Sequence, residues 1–272
     1  MLPVSFHQTF IPERRYITAL LEYARTENEA SIHEIAEITG IPMGKSSGKT
    51  PAILDYSQAM GLVTIREDKS RLKTVALTDF GTTVLNNDRF LSEAITQWLL
   101  HINLCNNLTG ALAWNVAFAV GGISLGSPFT RHQLENLLIS TLGPSRDPIG
   151  PMIQTYIDPV ALGNSAVIEV RGQQIYRRPA PVLDMYSNAY TALILNQFEM
   201  YFPGENQCTL SDFNEKTQLF DICFWSSYEI ESLLSSIQIT GDMSIDRTMD
   251  PWILERNADS SRLWQGIYNH LV

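Results

Sequence analysis

The order of apolar and polar positions at the start of the chain predicts two short helices. Pro12-Glu13 is a common form of helix start, and the apolar residues behind it recur at helical spacing: Tyr16, Ile17, Leu20, Leu21 and Ala24. Ser31 and Glu34 have the spacing of a capping box, which predicts a second helix over Ile32–Thr39 that ends at Gly40. Because so short a helix is not stable alone, we expect it to pack against its neighbours.

A third helix and a hairpin are predicted next. Thr50-Pro51 combines an N-cap residue with a proline at the first helical position, and the helix should cover Ala52–Met60. Leu62–Ile65 and Thr74–Leu77 read as strands joined by a charged turn. This order of elements is typical of a winged helix-turn-helix, which we predict for residues 1–85. Many winged helices pair proteins rather than bind DNA, so the fold leaves both roles open.

The remainder, residues 86–272, is predicted to be a larger, mainly helical domain with short hairpins. Residues 84–92 read as a linker into it. A helix followed by a hairpin around Gly172 indicates a second winged-helix-like unit as one interpretation. Residues 237–246 predict a last hairpin and residues 254–270 a last helix. The sequence shows no internal repeat strong enough to assert. The predicted fold class is mainly α with small β-hairpins.

Charge is distributed unevenly along the chain of 272 residues. The formal net charge of −10 argues against nonspecific coating of nucleic acid, because phosphate contacts need cations. Residues 84–272 hold ten Lys and Arg against nineteen Asp and Glu, whereas residues 45–73 hold six against three. A local charge of +3 on an acidic protein suits a small docking face.

Nothing in the sequence points to a membrane or to secretion. No run approaches the roughly 18 apolar residues that a membrane span needs, and residues 1–7 lack the pattern of a signal peptide. Cys105, Cys208 and Cys223 are far apart and odd in number, so we expect reduced thiols rather than disulfides. We therefore expect a cytoplasmic protein without membrane contact.

The residue types give no catalytic centre, and we expect no cofactor and no bound metal. The segment Gly44-x3-Gly48-Lys49-Thr50 is one residue short of a phosphate-binding loop and follows a helix rather than a strand. The five histidines form no HxxxH or HxH pair, and His101 with Cys105 lacks two further ligands for a metal site. We interpret the loop residues before the third helix instead as phosphate contacts at its positive end.

Two segments resemble a bacterial family known as domain of unknown function 4007. Phe6-His7-Gln8-Thr9-Phe10 followed by Arg14-Arg15 resembles its Phe-x-Gly-His-Glu-Thr-Phe…Arg opening. The segment from Phe90 to His101 resembles its second signature, Thr-x-Trp-Leu-Leu-His. The residues that carry the resemblance are His7, Thr9, Arg14, Trp98 and His101.

The chain departs from the family's opening motif at Phe6 and Gln8, where the family has Gly and Glu. If that Glu carries chemistry in relatives, Gln8 cannot replace it as an acid or base. The resemblance implies work related to DNA, since such genes tend to lie beside genes for phosphorothioate-type DNA modification and phage defence.

We therefore expect a DNA-binding accessory or regulatory protein of such a system, with double-stranded DNA and other defence-system proteins as partners. The predicted DNA contacts lie in the third helix, the loop before it and the hairpin: Lys45, Ser46, Ser47, Lys49, Thr50, Ser57, Lys69, Arg71 and Lys73. One alternative is a protein-binding adaptor without DNA contact, whose acidic second part docks a sulfur-transfer or ATPase partner. A nuclease is the third interpretation, with His7 and His101 as candidate catalytic residues. The oligomeric state stays open, because no heptad pattern in the sequence argues for a dimer.

Overall fold

A computed structural model of the chain describes residues 1–44, 48–144 and 148–271. It contains two units, Met1–Arg178 and Pro179–Val272. The described residues form many helices and three antiparallel sheets of three strands each, which confirms a mainly α protein with small hairpins. Within these ranges no helix has the length and apolar character needed to cross a membrane.

The first unit begins with a helix, a short strand, two helices and a hairpin, here called the first module (residues 14–77). Its strands pair in the order β1-β3-β2. The helix α4 (Asp79–Asn87) follows, and the Thr78 hydroxyl caps it by accepting a hydrogen bond from the Gly81 N–H (2.9 Å). The elements of the module are α1 (Arg14–Ala24), β1 (Glu29–Ala30), α2 (Ile32–Thr39), α3 (Lys49–Ala59), β2 (Val63–Glu67) and β3 (Lys73–Leu77).

Two predicted helix starts in this module have different outcomes. Ser31 and Glu34 form the expected capping box, and α2 has the predicted bounds. Gly40 is its C-cap residue and has the left-handed φ of 68°. The helix α3 begins earlier than predicted, because Gly48 occupies its N-cap position. The Thr50 hydroxyl donates instead to the carbonyl of Ile41 (3.1 Å), so the predicted capping role of Thr50 is wrong.

The rest of the first unit repeats this order of elements. A second module (residues 112–177) has the sheet order β4-β6-β5, and its helix α8 begins at a capping box of Thr130 with Gln133. A single 3-10 turn, Gly163–Ser165, precedes its hairpin. The elements from α5 onward are α5 (Ala94–Leu104), α6 (Leu112–Asn115), a π-helical turn (Val116–Val120), α7 (Gly121–Leu125), β4 (Phe129–Thr130), α8 (Arg131–Leu142), α9 (Ile149–Ile157), β5 (Ile168–Arg171) and β6 (Gln174–Arg177).

The segment predicted to be a linker contains the end of α4 and a hydrogen-bonded turn in which Asp88 and Leu91 are buried. The carboxylate of Asp88, 5% exposed, accepts hydrogen bonds from the backbone N–H groups of Ser92 (2.8 Å) and Glu93 (3.0 Å). The Gln97 amide donates to the carbonyl of Leu91 (2.8 Å). The sequence predicts a domain boundary at 85/86, whereas the two compact units of the structure divide at 178/179.

The second unit contains a third module (residues 187–256) with sheet order β7-β9-β8. Two 3-10 turns flank its helices, Asp184–Tyr186 and Gln238–Thr240. The elements are α10 (Ser187–Tyr201), β7 (Gln207–Thr209), α11 (Leu210–Thr217), α12 (Leu219–Ile222), α13 (Ser227–Ile237), β8 (Met243–Asp246), β9 (Ile253–Arg256) and α14 (Ser260–Trp264).

The predicted end of the chain is corrected. Residues 238–240 form a 3-10 turn rather than a strand, and β8 pairs with Ile253–Arg256, where a helix was expected. Leu254 is buried and Glu255 exposed, which is the alternation of a half-buried strand. This short alternation is hidden in the sequence by the apolar residues of α14 that follow it.

The three modules share an order of helix, short strand, helices and hairpin, of which the sequence indicated only the second helix-and-hairpin unit around Gly172. In each, a strand of two or three residues leads to a Ser or Thr N-cap: Ser31, Thr130 or Thr209. Four residues after each N-cap lies a fully buried apolar side chain: Ile35, Leu134 or Phe213. The repeat preserves positions rather than residue identities, because a cap and a core contact accept several residue types.

One buried polar group in the second unit has no compensating contact. Gln197, on α10, is 1% exposed, and neither its amide nitrogen nor its amide oxygen has a hydrogen-bond partner among the described residues. Burying an amide without partners costs free energy that folding must recover elsewhere.

We predict that Gln197→Leu raises the free energy of unfolding by about 1–2 kcal/mol, because it removes this desolvation cost at nearly constant volume. Urea denaturation followed by circular dichroism measures the change. The matched control is Gln238→Leu at an exposed position of the same unit, which should leave stability unchanged within about 0.5 kcal/mol. A Gln197→Leu protein no more stable than the wild type contradicts the prediction.

Candidate nucleic-acid interface

The turn between β2 and β3 has a shape fixed by Asp68. Its carboxylate oxygen Oδ1 accepts hydrogen bonds from the backbone N–H groups of Ser70 (2.9 Å) and Leu72 (2.8 Å). The Asp68 N–H donates to the carbonyl of Leu72 (2.9 Å). Arg71 has φ 65°, a left-handed conformation supported by the hydrogen bond from its N–H to the Asp68 carbonyl (3.1 Å). The side chains on this turn therefore project from an ordered backbone.

Three cations on this hairpin are exposed: Arg66, Lys69 and Arg71, here called the basic tip. Arg66 lies on β2 opposite Thr74 of β3, so no carboxylate stands directly across from it. Among the described residues none of the three takes part in an ion pair within 4.0 Å. These charges are available to an external anion.

Lys73 differs from the basic tip because it faces the other side of the hairpin. It lies directly across from Glu67, and the two side chains form an ion pair. The Lys73 side chain is only 22% exposed, and its charge also acts on Asp55 of α3. The predicted phosphate contact Lys73 is thus placed in an ion pair at the surface of the hairpin.

Three further predicted contacts, Lys49, Thr50 and Ser57, lie on α3 and are paired or buried. Lys49 forms an ion pair with Glu13, and its ammonium lies over the rings of Phe10 (5.4 Å) and Tyr16 (4.8 Å). Thr50 and Ser57 have no exposed surface. The predicted residues Lys45, Ser46 and Ser47 lie outside the described residues.

The helix α3 is enclosed by the N-terminal segment and by α5. The Tyr56 hydroxyl donates to the carbonyl of Phe10 (3.2 Å), and the Gly48 N–H donates to the Gln8 side chain (3.2 Å). Asn103 of α5 donates to the carbonyl of Met60 at the end of α3 (3.1 Å). Among the residues of α3 only Gln58 is mostly exposed, so α3 offers no free face to a DNA groove.

The two histidines of the family motifs are both internal. His7 is 2% exposed, and its Nδ1 accepts a hydrogen bond from the Thr9 N–H (3.0 Å). His101 is fully buried, with Nδ1 2.6 Å from the Tyr156 hydroxyl and its ring 5.5 Å from that of Trp98. Both rings therefore support packing and hydrogen bonding inside the first unit.

Thr9 and Arg14 complete the motif residues. Thr9 is exposed and has φ 74°, so it shapes the bend of the N-terminal segment. The Arg14 guanidinium donates to the carbonyls of Phe90 (3.2 Å) and Pro159 (2.6 Å). Arg14 thus ties the first helix to two distant turns of the same unit.

A buried cluster that sequence reasoning missed lies between these motifs. The rings of Phe6, Tyr56 and Trp114 meet edge to face, with centroids 4.7–6.0 Å apart. Arg177 is 5% exposed and donates to the carbonyl of Phe118 in the π-helical turn (2.9 Å). Burial raises the pKa of the Tyr156 hydroxyl well above its usual value, so it stays protonated. These residues are too far apart in sequence for spacing to bring them together.

Elsewhere the described residues offer little that resembles reaction chemistry. They contain no group of three His, Cys, Asp or Glu side chains that could hold a metal ion. Burial raises the pKa of the Cys105 thiol well above its usual range. The basic tip is a group of exposed cations outside any ion pair among the described residues.

Comparison with known proteins gives a family and a recurring fold. The family described as protein of unknown function (DUF4007) matches residues 5–147, just over half of the chain. No curated protein matches. Two solved structures are similar: a magnesium ion-bound SspB crystal structure at 16% identity and an SspB crystal structure at 15%. Each has a TM-score of 0.73 and covers 98% of this chain and 87% of the other. At this identity the likeness concerns the fold.

Asp55 lies on α3 close to the hairpin and titrates near neutral pH. Partial burial raises the pKa of its carboxyl to about 6, against the opposing effect of the Lys73 charge. Since the pKa in the folded state exceeds that of the unfolded chain, protonation of Asp55 contributes to the free energy of unfolding. The contribution is fully present below pH about 4, where Asp55 is protonated in both states. This contribution is lost as the pH rises through about 6.

We predict that Asp55→Asn is more stable than the wild type at pH 7.5 by about 1 kcal/mol, a value reduced for solvent screening at a partly exposed site. At pH 3.5 the two proteins should be equally stable, if both remain folded. Urea denaturation at several pH values gives the difference. A difference that is constant with pH, or that favours the wild type at pH 7.5, contradicts the raised pKa.

Proposed function

The chain belongs to the DUF4007 family of proteins of unknown function, and we propose that it is a DNA-binding accessory protein that holds the duplex backbone through its basic tip. In this proposal the first module is a winged helix, and the β2–β3 hairpin is its wing. Binding by the basic tip depends on the shape and charge of the DNA rather than on its base sequence.

The order of elements supports the winged-helix assignment. The first module has a helix, a short strand, two helices and a hairpin, and β1 adds to the far side of β3. In helix-turn-helix proteins the last helix commonly enters the major groove. Here that helix, α3, is covered, so the wing is the part of the module left to reach DNA.

The observation that carries the proposal is the basic tip itself. Lys69 and Arg71 are exposed on a turn that Asp68 orders before any ligand arrives, and Arg66 is exposed on β2 beside it. An ordered backbone lowers the entropy cost of binding, although the side chains must still be immobilised. Three cations match a few successive phosphates, which gives weak and salt-sensitive affinity rather than tight binding.

The cellular setting is also a proposal. The family resemblance supports a role in a bacterial DNA-modification system of the phosphorothioation type or in phage defence. One similar structure is described as magnesium-bound SspB, which is a statement about that protein. We assign no metal-binding role to any residue of this chain.

An adaptor role is the second candidate, and the charge of the second unit favours it. Residues 179–272 hold four Lys and Arg against thirteen Asp and Glu, whereas residues 1–178 hold fifteen against sixteen. A unit with formal charge −9 repels DNA and suits a basic protein partner. The two roles are compatible, because they use different units. We propose no nuclease role for His7 and His101, since both are enclosed.

We predict that the triple variant Arg66→Glu, Lys69→Glu, Arg71→Glu binds a 20-base-pair duplex at least tenfold more weakly than the wild type at about 50 mM salt. Each reversal turns an attraction to phosphate into a repulsion. Fluorescence anisotropy with labelled duplex measures the affinity.

The control for this experiment carries the same change in net charge at exposed arginines outside the wing: Arg25→Glu, Arg171→Glu and Arg262→Glu. It should weaken binding less than threefold. Equal losses in the two triple variants would show that total charge, not the basic tip, determines affinity. No measurable binding of the wild type at low salt would remove the DNA proposal and leave the adaptor role.

A further inference from the structure

A groove of about 420 Å³ lies within the second unit, between α11, α13 and the turn that joins β8 to β9. The volume falls in the range of about 300–1,000 Å³ typical of ligand sites. The apolar part of its wall is formed by Leu210, Phe220, Ile230, Pro251 and Trp252.

The floor of the groove is fixed by polar contacts and by the aromatic core. The Asn214 side-chain oxygen accepts from the Phe220 N–H (2.9 Å), and its amide nitrogen donates to the Asp221 carboxylate (3.1 Å). The Phe220 ring lies 6.2 Å from Trp225 and 6.4 Å from Phe213. The floor is therefore continuous with the core of the unit, and the groove is preformed.

The Trp252 wall is also held in place. The Leu210 N–H donates to the Trp252 carbonyl (2.7 Å), which fixes this residue against the start of α11. The guanidinium of Arg247 lies over the Trp252 ring at 4.9 Å, and Arg247 donates to the Ser235 hydroxyl (3.2 Å). Trp252 remains half-exposed.

The charge at the groove is negative. Glu231 and Asp250 line it and are exposed, and none of its described lining residues is basic. These two carboxylates belong to a unit with a formal charge of −9, so the surrounding potential also attracts cations. Apolar walls with an acidic rim complement an apolar side chain flanked by Lys or Arg.

We propose that this groove binds a basic segment of another protein, which inserts an apolar side chain between Ile230 and Trp252 and places cations beside Glu231 and Asp250. Nucleic acid is disfavoured by the charge, and a small anion finds no cation in the lining. Binding at this groove rests on the adaptor role proposed for the second unit and is independent of the DNA contact, which concerns the first unit alone.

The test uses the full chain and a defined probe, the fluorescein-labelled peptide Lys-Leu-Lys-Phe-Lys-Leu-Lys with a C-terminal amide. Two comparison peptides replace all Lys by Glu, or replace Leu and Phe by Ser. The variants Glu231→Arg and Asp250→Arg reverse the rim charge one position at a time at exposed sites. Glu255→Arg is the matched control, because it makes the same change on an exposed strand residue outside the groove.

The expected result is binding of the basic apolar peptide that each rim variant weakens at least fivefold and Glu255→Arg weakens less than twofold. The Glu and Ser peptides should bind at least tenfold more weakly than the probe. Equal effects of rim and control variants, or equal binding of the Ser peptide, would reduce the interaction to nonspecific charge and overturn the proposal. Absence of probe binding at millimolar concentration would also overturn it, as would a homodimer, seen by sedimentation, that the rim variants dissociate.

Discussion

The packing of Tyr56 in the first unit is the contact on which much of the described structure depends. Its ring meets those of Phe6 (4.7 Å) and Trp114 (6.0 Å), and its hydroxyl donates to the Phe10 carbonyl. These contacts join α3 to the N-terminal segment and to the start of the second module. Aromatic pairs of this kind contribute about 0.5–1.5 kcal/mol each beyond the burial of their area. The enclosure of α3 follows directly from this packing.

The enclosure of α3 limits which part of the first module can contact a partner. A helix that is part of the core cannot enter a groove without unfolding its surroundings, so the β2–β3 hairpin carries the accessible charge. A similar order of elements recurs in the second and third modules, with one more short helix in the third. Among the described residues only the first module presents three exposed cations outside any ion pair on its hairpin. The third module instead lies in the unit that holds nearly all the excess negative charge. One repeated scaffold thus presents different surface chemistry in different copies.

Capping and stop signals within one helical turn predicted α2 correctly, whereas the Thr50 cap predicted for α3 was wrong and the long-range contacts were not predicted. The Ser31 capping box and the Gly40 stop predicted α2 correctly, because both act within one helical turn. Residues 84–92 looked like a linker, since nothing nearby shows that Asp88 is buried and that Arg14 donates to the Phe90 carbonyl. At the candidate site, Lys69 and Arg71 were identified from local charge. The pairing of Lys49 with Glu13, 36 residues away, and the burial of Ser57 required the fold.

We propose that the first module binds the duplex backbone through three cations and makes no base-specific contacts. The salt dependence of DNA affinity is the measurement that tests this proposal. Affinity for two unrelated duplexes of equal length should be measured between about 25 and 150 mM salt. Three phosphate contacts should give a slope of about −3 in log affinity against log salt, because each neutralised phosphate contributes about −0.9. The two sequences should bind with the same affinity within a factor of about three. A slope near zero, or a preference of more than tenfold for one sequence, would contradict the proposal.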